Sequence, residues 1–108
     1  MFANLLTNKE IDTNISTDDL QQLKIKYRLE IDLIDDEILN LLEQRKLFCQ
    51  NIGKIKYRLN ENIISTTREY EILERLKSKS DILESNEIEL IYNNLFKIFR
   101  KVQTDNNL

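Results

Sequence analysis

An apolar stripe at helical spacing constrains this chain more than any other feature of its sequence. From Leu20 to Leu59, apolar residues recur three or four positions apart, with one gap at Arg45. This spacing is the period of one face of an α-helix. The 108 residues include no proline and one glycine, Gly53, and a glycine inside a helix costs only about 1 kcal/mol. The stripe therefore predicts a single helix over residues 17–59.

Residues at both ends of this stripe support the same bounds. Ser16, Thr17 and Asp18 offer side-chain oxygens for an N-cap. The acidic pair Asp18 and Asp19 suits the positive end of a helix dipole. The polar run 60–62 (Asn-Glu-Asn) is the first convincing stop.

Two shorter helices are predicted after this stop. Thr66, with Glu69 three residues later, has the pattern of a capping box. The helix that follows is expected to bury Tyr70, Leu73 and Leu76. Ser85 or Asn86 is expected to cap the third helix, whose apolar stripe comprises Ile88, Ile91, Tyr92, Leu95, Phe96, Phe99 and Val102.

The length of the first helix predicts the architecture. Roughly 43 residues at about 1.5 Å each span about 65 Å, whereas a compact chain of this size has a diameter of roughly 35 Å. The other two helices cannot cover such a stripe, so we expect an all-α, intertwined homodimer. The alternative is a monomeric bundle in which the first helix breaks at Gly53 or near Asp35-Asp36. Residues 1–15 are expected to form a flexible arm, 16–104 the helical domain and 105–108 a polar tail.

Composition excludes several classes of function. The net charge is −3 with a pI of about 5.0, which disfavours a nucleic-acid partner, and the basic run 54–58 is interpreted as a solvated helix face. The absence of histidine removes histidine-based catalysis and metal sites. The lone Cys49 cannot form an internal disulfide. Without a membrane span or signal-peptide pattern, a cytoplasmic location is expected.

Two cations fall on the apolar face of the first helix. Arg45 interrupts the stripe between Leu41 and Phe48, and Lys56 lies eleven residues later. The two positions are about 20° from alignment and roughly 16 Å apart along the axis. Because an unpaired buried cation is costly, such residues usually pair or bind an anion. Either both hold a small anion, or both reach water or pair with nearby acids: Asp35, Glu43 and Glu69.

Further polar residues can join such a site from other elements. Arg28 is about 25 Å from Arg45 along the helix and rotated by about 100°, so only Arg28 of the partner subunit in an antiparallel dimer can reach it. Arg68 and Glu69 open the second helix, whose N–H groups favour an anion. Gln103 lies near the end of the third helix.

These residues together resemble the all-helical class of chorismate mutase. The resemblance runs from about Leu20 to Gln103 and rests on the spacing R-x16-R-x10-K-x11-R-E, which begins at Arg28. It implies three helices, an intertwined dimer with two active sites, and rearrangement of chorismate to prephenate toward phenylalanine and tyrosine. It implies no metal, cofactor or covalent intermediate. Another shikimate-pathway enzyme is a possible partner, and the chain can be free-standing or part of a bifunctional enzyme.

The resemblance also implies a role for each matching residue. Arg45 and Arg28 of the partner subunit would hold the two carboxylates of the substrate. Lys56 would donate to the ether oxygen and help to hold a carboxylate, and Gln103 would be the second donor to that oxygen. These four are the candidate catalytic residues.

Four other positions are implied to contact the substrate. Glu69 would accept a hydrogen bond from the ring hydroxyl, and Arg68 would support the site. Ser65 stands where some members have an aspartate near that hydroxyl. Phe99 stands where some members have a serine near a carboxylate, so that one hydrogen bond is lost and bulk is added.

Two other functions remain open at this point. One is isochorismate–pyruvate lyase of the same fold, although the Gly53-x-x-Lys56 and Arg68-Glu69 context favours the mutase. The other is a non-catalytic helical dimerisation or regulatory module whose cations pair on the surface.

Overall fold

Three α-helices account for most of the residues that the computed structural model describes, which are 11 and 14–105. They are α1 (Thr17–Leu59), α2 (Thr66–Lys79) and α3 (Ser85–Asp105). The all-α prediction is confirmed, and α1 has the predicted bounds. It continues through Gly53 and through Asp35-Asp36, so the predicted alternative of a broken helix is wrong. Most of the expected arm, and residues 106–108 of the expected tail, lie outside the described residues.

Both ends of α1 are capped by the residues that the sequence indicates. The Ser16 hydroxyl accepts a hydrogen bond from the Asp19 N–H at 3.2 Å. At the other end Asn60 adopts a left-handed φ of 59°. Its N–H donates to the Tyr57 carbonyl at 3.2 Å, and the Glu61 N–H donates to the Lys56 carbonyl at 2.8 Å. This pair of bonds is a Schellman motif, which satisfies the last carbonyls of the helix.

The cap of α2 lies one residue earlier than predicted. Ser65 has an extended backbone, and its hydroxyl accepts the Arg68 N–H at 3.2 Å. Thr66 is therefore the first helical residue, and the predicted capping box of Thr66 with Glu69 is wrong. The Glu69 carboxylate is consequently available for contacts outside its own helix.

The cap of α3 also differs from the prediction. Ser85 and Asn86 lie inside the helix, so neither is its cap. Instead the Glu87 carboxylate accepts the N–H of Glu84, the residue before the helix, at 2.8 Å. The acceptor is a carboxylate in the first turn, where the helix dipole favours a negative charge.

The described residues divide into two units, one that ends at Glu43 and one that begins at Gln44. In the first unit, the apolar residues of α1 are largely exposed, including Leu20, Ile25, Leu29, Ile31, Leu33, Ile38, Leu39 and Leu41. Among the helices of the described residues, none combines the length and the apolar content that a membrane span requires.

The second unit packs the C-terminal part of α1 with α2 and α3. Its buried apolar residues are Cys49, Ile72, Ile88, Phe96 and Phe99. One expectation is wrong, because Tyr70 is 64% exposed. Tyr70 lies two residues before the buried Ile72, which on a helix is about 200° away. An ion pair between Lys77 and Glu89 also joins α2 to α3. The hydrogen bond that Lys77 donates to the Glu89 carboxylate raises the pKa of Lys77.

Gly53 lets the backbones of α1 and α3 approach closely. It is buried, and a Cβ atom at this position would lie 2.6 Å from the Gln103 carbonyl oxygen and 2.8 Å from the Gln103 Cα. Real Cβ atoms essentially never come so near to backbone atoms. In the sequence, Gly53 is notable only for its low helix propensity. In the structure, it allows the short distance between α1 and α3.

Replacing Gly53 with alanine is expected to destabilise the fold. Alanine is the better helix former by about 1 kcal/mol, but here the added methyl group must displace the α3 backbone, and such overpacking typically costs about 1–3 kcal/mol. We expect Gly53→Ala to lower the free energy of unfolding in urea. Lys54→Ala, at the exposed neighbouring position, should change it by less than about 0.5 kcal/mol. A Gly53→Ala protein at least as stable as the unmodified chain would contradict this packing.

Candidate active site

A cavity of about 360 Å³ lies in the second unit, among side chains of all three helices. Residues of α1, of the loop before α2, of the first turns of α2 and of the second half of α3 line it. Its polar lining consists mainly of Arg45, Lys56, Arg68, Glu69, Arg100 and Gln103. Apolar side chains, including those of Ile72, Phe96 and Phe99, form the rest of the wall. The cavity therefore has the mixed lining of a small-molecule site.

The cavity brings together most of the site residues predicted from the sequence. Seven of them line it: Arg45, Lys56, Ser65, Arg68, Glu69, Phe99 and Gln103. The eighth, Arg28, lies in the first unit with an exposed side chain. Predicted residues from three separate helices thus line one cavity.

Arg45 is held at the cavity by an aromatic ring. Its guanidinium carbon lies 4.6 Å from the centroid of the Phe99 ring, within the range of a cation–π interaction. Arg45 Nη1 also contacts the Cys49 Sγ at 3.6 Å. Phe99 therefore does more than add bulk, because its ring faces the Arg45 guanidinium.

Lys56 reaches back to the loop that follows its own helix. Its Nζ donates a hydrogen bond to the Ile63 carbonyl oxygen at 2.6 Å. An ammonium group has three donors, so this bond fixes its position while two donors remain. A ligand in the cavity can accept from those two.

The balance of charge in the cavity opposes that of the whole chain. Four of the lining residues, Arg45, Lys56, Arg68 and Arg100, are cations, and Glu69 is the acid among the lining residues. The chain as a whole carries −3. The ion pairs found within the described ranges, Lys77–Glu89 and Arg100–Glu69, leave Arg45 and Lys56 without an acidic partner. Such a site favours an anion.

Glu69 is paired with Arg100, a residue that the sequence reasoning missed. Arg100 Nε donates to Glu69 Oε2 at 2.8 Å, and Arg100 Nη2 donates to Glu69 Oε1. This two-point hydrogen bond raises the pKa of Arg100. A signal was present, because Arg100 is a cation between Phe99 and Gln103 on α3, beside the apolar stripe. Its partner is 31 residues away in the chain, so only the fold reveals the pair.

Gln103 contributes an unsatisfied polar atom to the site. Its Oε1 is buried without a hydrogen-bond partner among the described residues. Buried polar atoms are nearly always paired, and those that are not require an explanation. Gln103 lines the cavity, and its backbone is packed against Gly53; its side-chain NH2 group is the part that can donate to a ligand.

Comparison with known sequences agrees with the motif. The model of the family "Chorismate mutase type II" matches residues 27–104, which is more than half of the chain. The bifunctional chorismate mutase/prephenate dehydratase of Aquifex aeolicus (strain VF5) is 44% identical over 57 residues, or 53% of this chain. The match spans only 16% of the length of that relative.

Comparison with solved structures agrees with the fold. The crystal structure of chorismate mutase from Helicobacter pylori in complex with prephenate is similar, with a TM-score of 0.73 and 34% sequence identity. The similarity covers 79% of this chain and 93% of that one. The sequence and structural matches lead to one conclusion: the chain belongs to the type II chorismate mutase family.

Proposed function

We propose that this chain catalyses the rearrangement of chorismate to prephenate. The observation that carries the proposal is the placement in one cavity of Gln103 and of two cations, Arg45 and Lys56, that have no acidic partner among the described residues. Family membership and the prephenate in the Helicobacter pylori structure support it. The substrate is a small dianion, which suits a positive cavity in an acidic chain.

The chemistry needs no proton transfer and no nucleophile. In the rearrangement a C–O bond breaks while a C–C bond forms within one molecule, and negative charge develops on the ether oxygen. Lys56 and Gln103 would donate hydrogen bonds to that oxygen. Because the charge is larger in the transition state than in the substrate, these donors stabilise the transition state more. The hydrogen bond from Lys56 to Ile63 keeps the ammonium group in place for this role.

Arginines would hold the substrate in its reactive shape. Arg45 and Arg28 of the partner subunit would each bind a carboxylate, which keeps the side chain of chorismate over its ring and removes most of the entropic cost of reaching that conformer. The Phe99 ring would restrain Arg45 before the substrate arrives. Arg68 would add positive charge at the start of α2.

The ring hydroxyl would be bound at the beginning of α2. Glu69 would accept its hydrogen bond. Ser65 lines the same cavity, but its hydroxyl already accepts the Arg68 N–H as the helix cap. We therefore assign to Ser65 the orientation of the first turn of α2, and with it the placement of Arg68 and Glu69.

The proposal includes a homodimer with α1 of each copy packed against the other. The exposed apolar residues of the α1 stripe in the first unit, such as Ile31, Ile38 and Leu41, support it, because apolar residues repeated along one helix face are typical of an interface. A cytoplasmic location suits the free thiol of Cys49. The bifunctional Aquifex aeolicus relative suggests that a partner enzyme, if there is one, consumes prephenate.

Lys56→Ala is expected to reduce kcat/KM for chorismate by a factor of about 10² to 10³, the usual effect of losing one donor to a developing oxyanion. Chorismate loss and prephenate formation would be followed together. Lys54→Ala removes an exposed cation two residues away and should retain normal turnover. Near-normal turnover by Lys56→Ala would contradict the mechanism. Release of salicylate and pyruvate from isochorismate would indicate the lyase instead.

Mixing two inactive variants tests whether Arg28 acts across a dimer. Arg28→Ala and Arg45→Ala should each be nearly inactive, but co-refolded in equal amounts they should form heterodimers with one intact site. Random pairing makes about half of the dimers heterodimers, so about a quarter of the unmodified activity should return. Light scattering in the same buffer measures the molar mass of the mixed protein and so shows whether it is dimeric. No recovery in a mixture that does form dimers would contradict a shared site.

A further inference from the structure

We propose that Arg100 is a positioning residue, which orients the Glu69 carboxylate and neutralises its charge so that a dianion can bind beside it. The inference rests on the proposed function and extends it to a residue outside the R-x16-R-x10-K-x11-R-E motif.

The geometry of the pair fixes the carboxylate. Arg100 lies near the end of α3 and Glu69 in the first turn of α2, and the guanidinium binds both carboxylate oxygens. A two-point contact of this kind prevents rotation of the carboxylate in a way that a single bond does not. Each oxygen keeps a further lone pair, so Glu69 can still accept a hydrogen bond from a hydroxyl group of the ligand.

The charge of Glu69 gives the pair its second effect. Its side chain is 19% exposed and lines the same cavity as Arg45 and Lys56. An uncompensated carboxylate there would repel a dianion and attract the cations that should bind the ligand. Arg100 cancels that charge locally, so the positive charge of Arg45 and Lys56 remains available to the substrate.

A purely structural role makes a different prediction. The pair joins α2 to α3, and so does the ion pair of Lys77 with Glu89, neither residue of which lines the cavity. If Arg100 only ties the two helices together, Arg100→Ala and Lys77→Ala should behave alike, with a loss of stability and no change in substrate affinity. Lys77→Ala is therefore the matched control.

The test combines kinetics with a double variant in which neither residue of the pair is charged. Arg100→Ala is expected to raise KM for chorismate by at least about tenfold, since it leaves one partner of a charge pair unpaired, whereas Lys77→Ala leaves KM unchanged. Adding Glu69→Gln to Arg100→Ala removes the uncompensated charge, so KM should fall most of the way back to the value of the unmodified chain. Arg100→Lys keeps the charge without the two-point contact, so it should retain KM and lower kcat. Thermal unfolding of each variant confirms that it is folded at the assay temperature.

Calorimetric titration with prephenate measures the charge effect without turnover. The Kd for prephenate should follow the same order: it should be higher for Arg100→Ala, and the added Glu69→Gln should lower it again. An Arg100→Ala protein that binds prephenate and chorismate as well as Lys77→Ala does would overturn the inference, as would a double variant no better than Arg100→Ala. If the unmodified chain binds prephenate but does not consume chorismate, the proposed function fails, and the titration still decides the role of Arg100.

Discussion

The contact between Gly53 and the backbone of Gln103 determines where the candidate site can form. At this point α1 and α3 are so close that even one methyl group does not fit. The contact places the Gln103 side chain at the cavity that Lys56 lines from α1, three residues after the glycine. A helix-breaking residue type thus occurs inside the longest helix because the distance between two helices matters more there than the helix propensity of one residue.

Within the cavity, the positive charges of Arg45 and Lys56 are left uncompensated by any described acid, whereas the negative charge of Glu69 is compensated. Arg45 rests against an aromatic ring and Lys56 against a backbone carbonyl, so both are restrained by neutral groups that leave their positive charge uncancelled. The charge of Glu69, by contrast, is compensated, because Arg100 binds both of its carboxylate oxygens. Groups restrained in this manner need little rearrangement when a ligand binds, which is the condition under which electrostatic stabilisation of a transition state is most effective.

Much of this arrangement was predictable because it follows from local rules. The bounds of α1 follow from an apolar period, a serine cap and an asparagine stop, and four of the five motif residues line the cavity: Arg45, Lys56, Arg68 and Glu69. The predictions are wrong where tertiary contacts determine the helix cap or the burial of a side chain. The caps of α2 and α3 differ from the prediction by one or two residues, and Ile72 rather than Tyr70 is buried. The pair of Glu69 with Arg100 joins two helices and has no signature in sequence spacing.

If the proposed function is correct, this cavity rearranges a dianionic substrate without a proton transfer or a covalent intermediate. Incubating the purified chain with chorismate, and following both compounds by NMR, tests it most directly. Chorismate should disappear far faster than in buffer alone, and prephenate should appear in equal amount. Chorismate that decays at the same rate with and without the protein would contradict it.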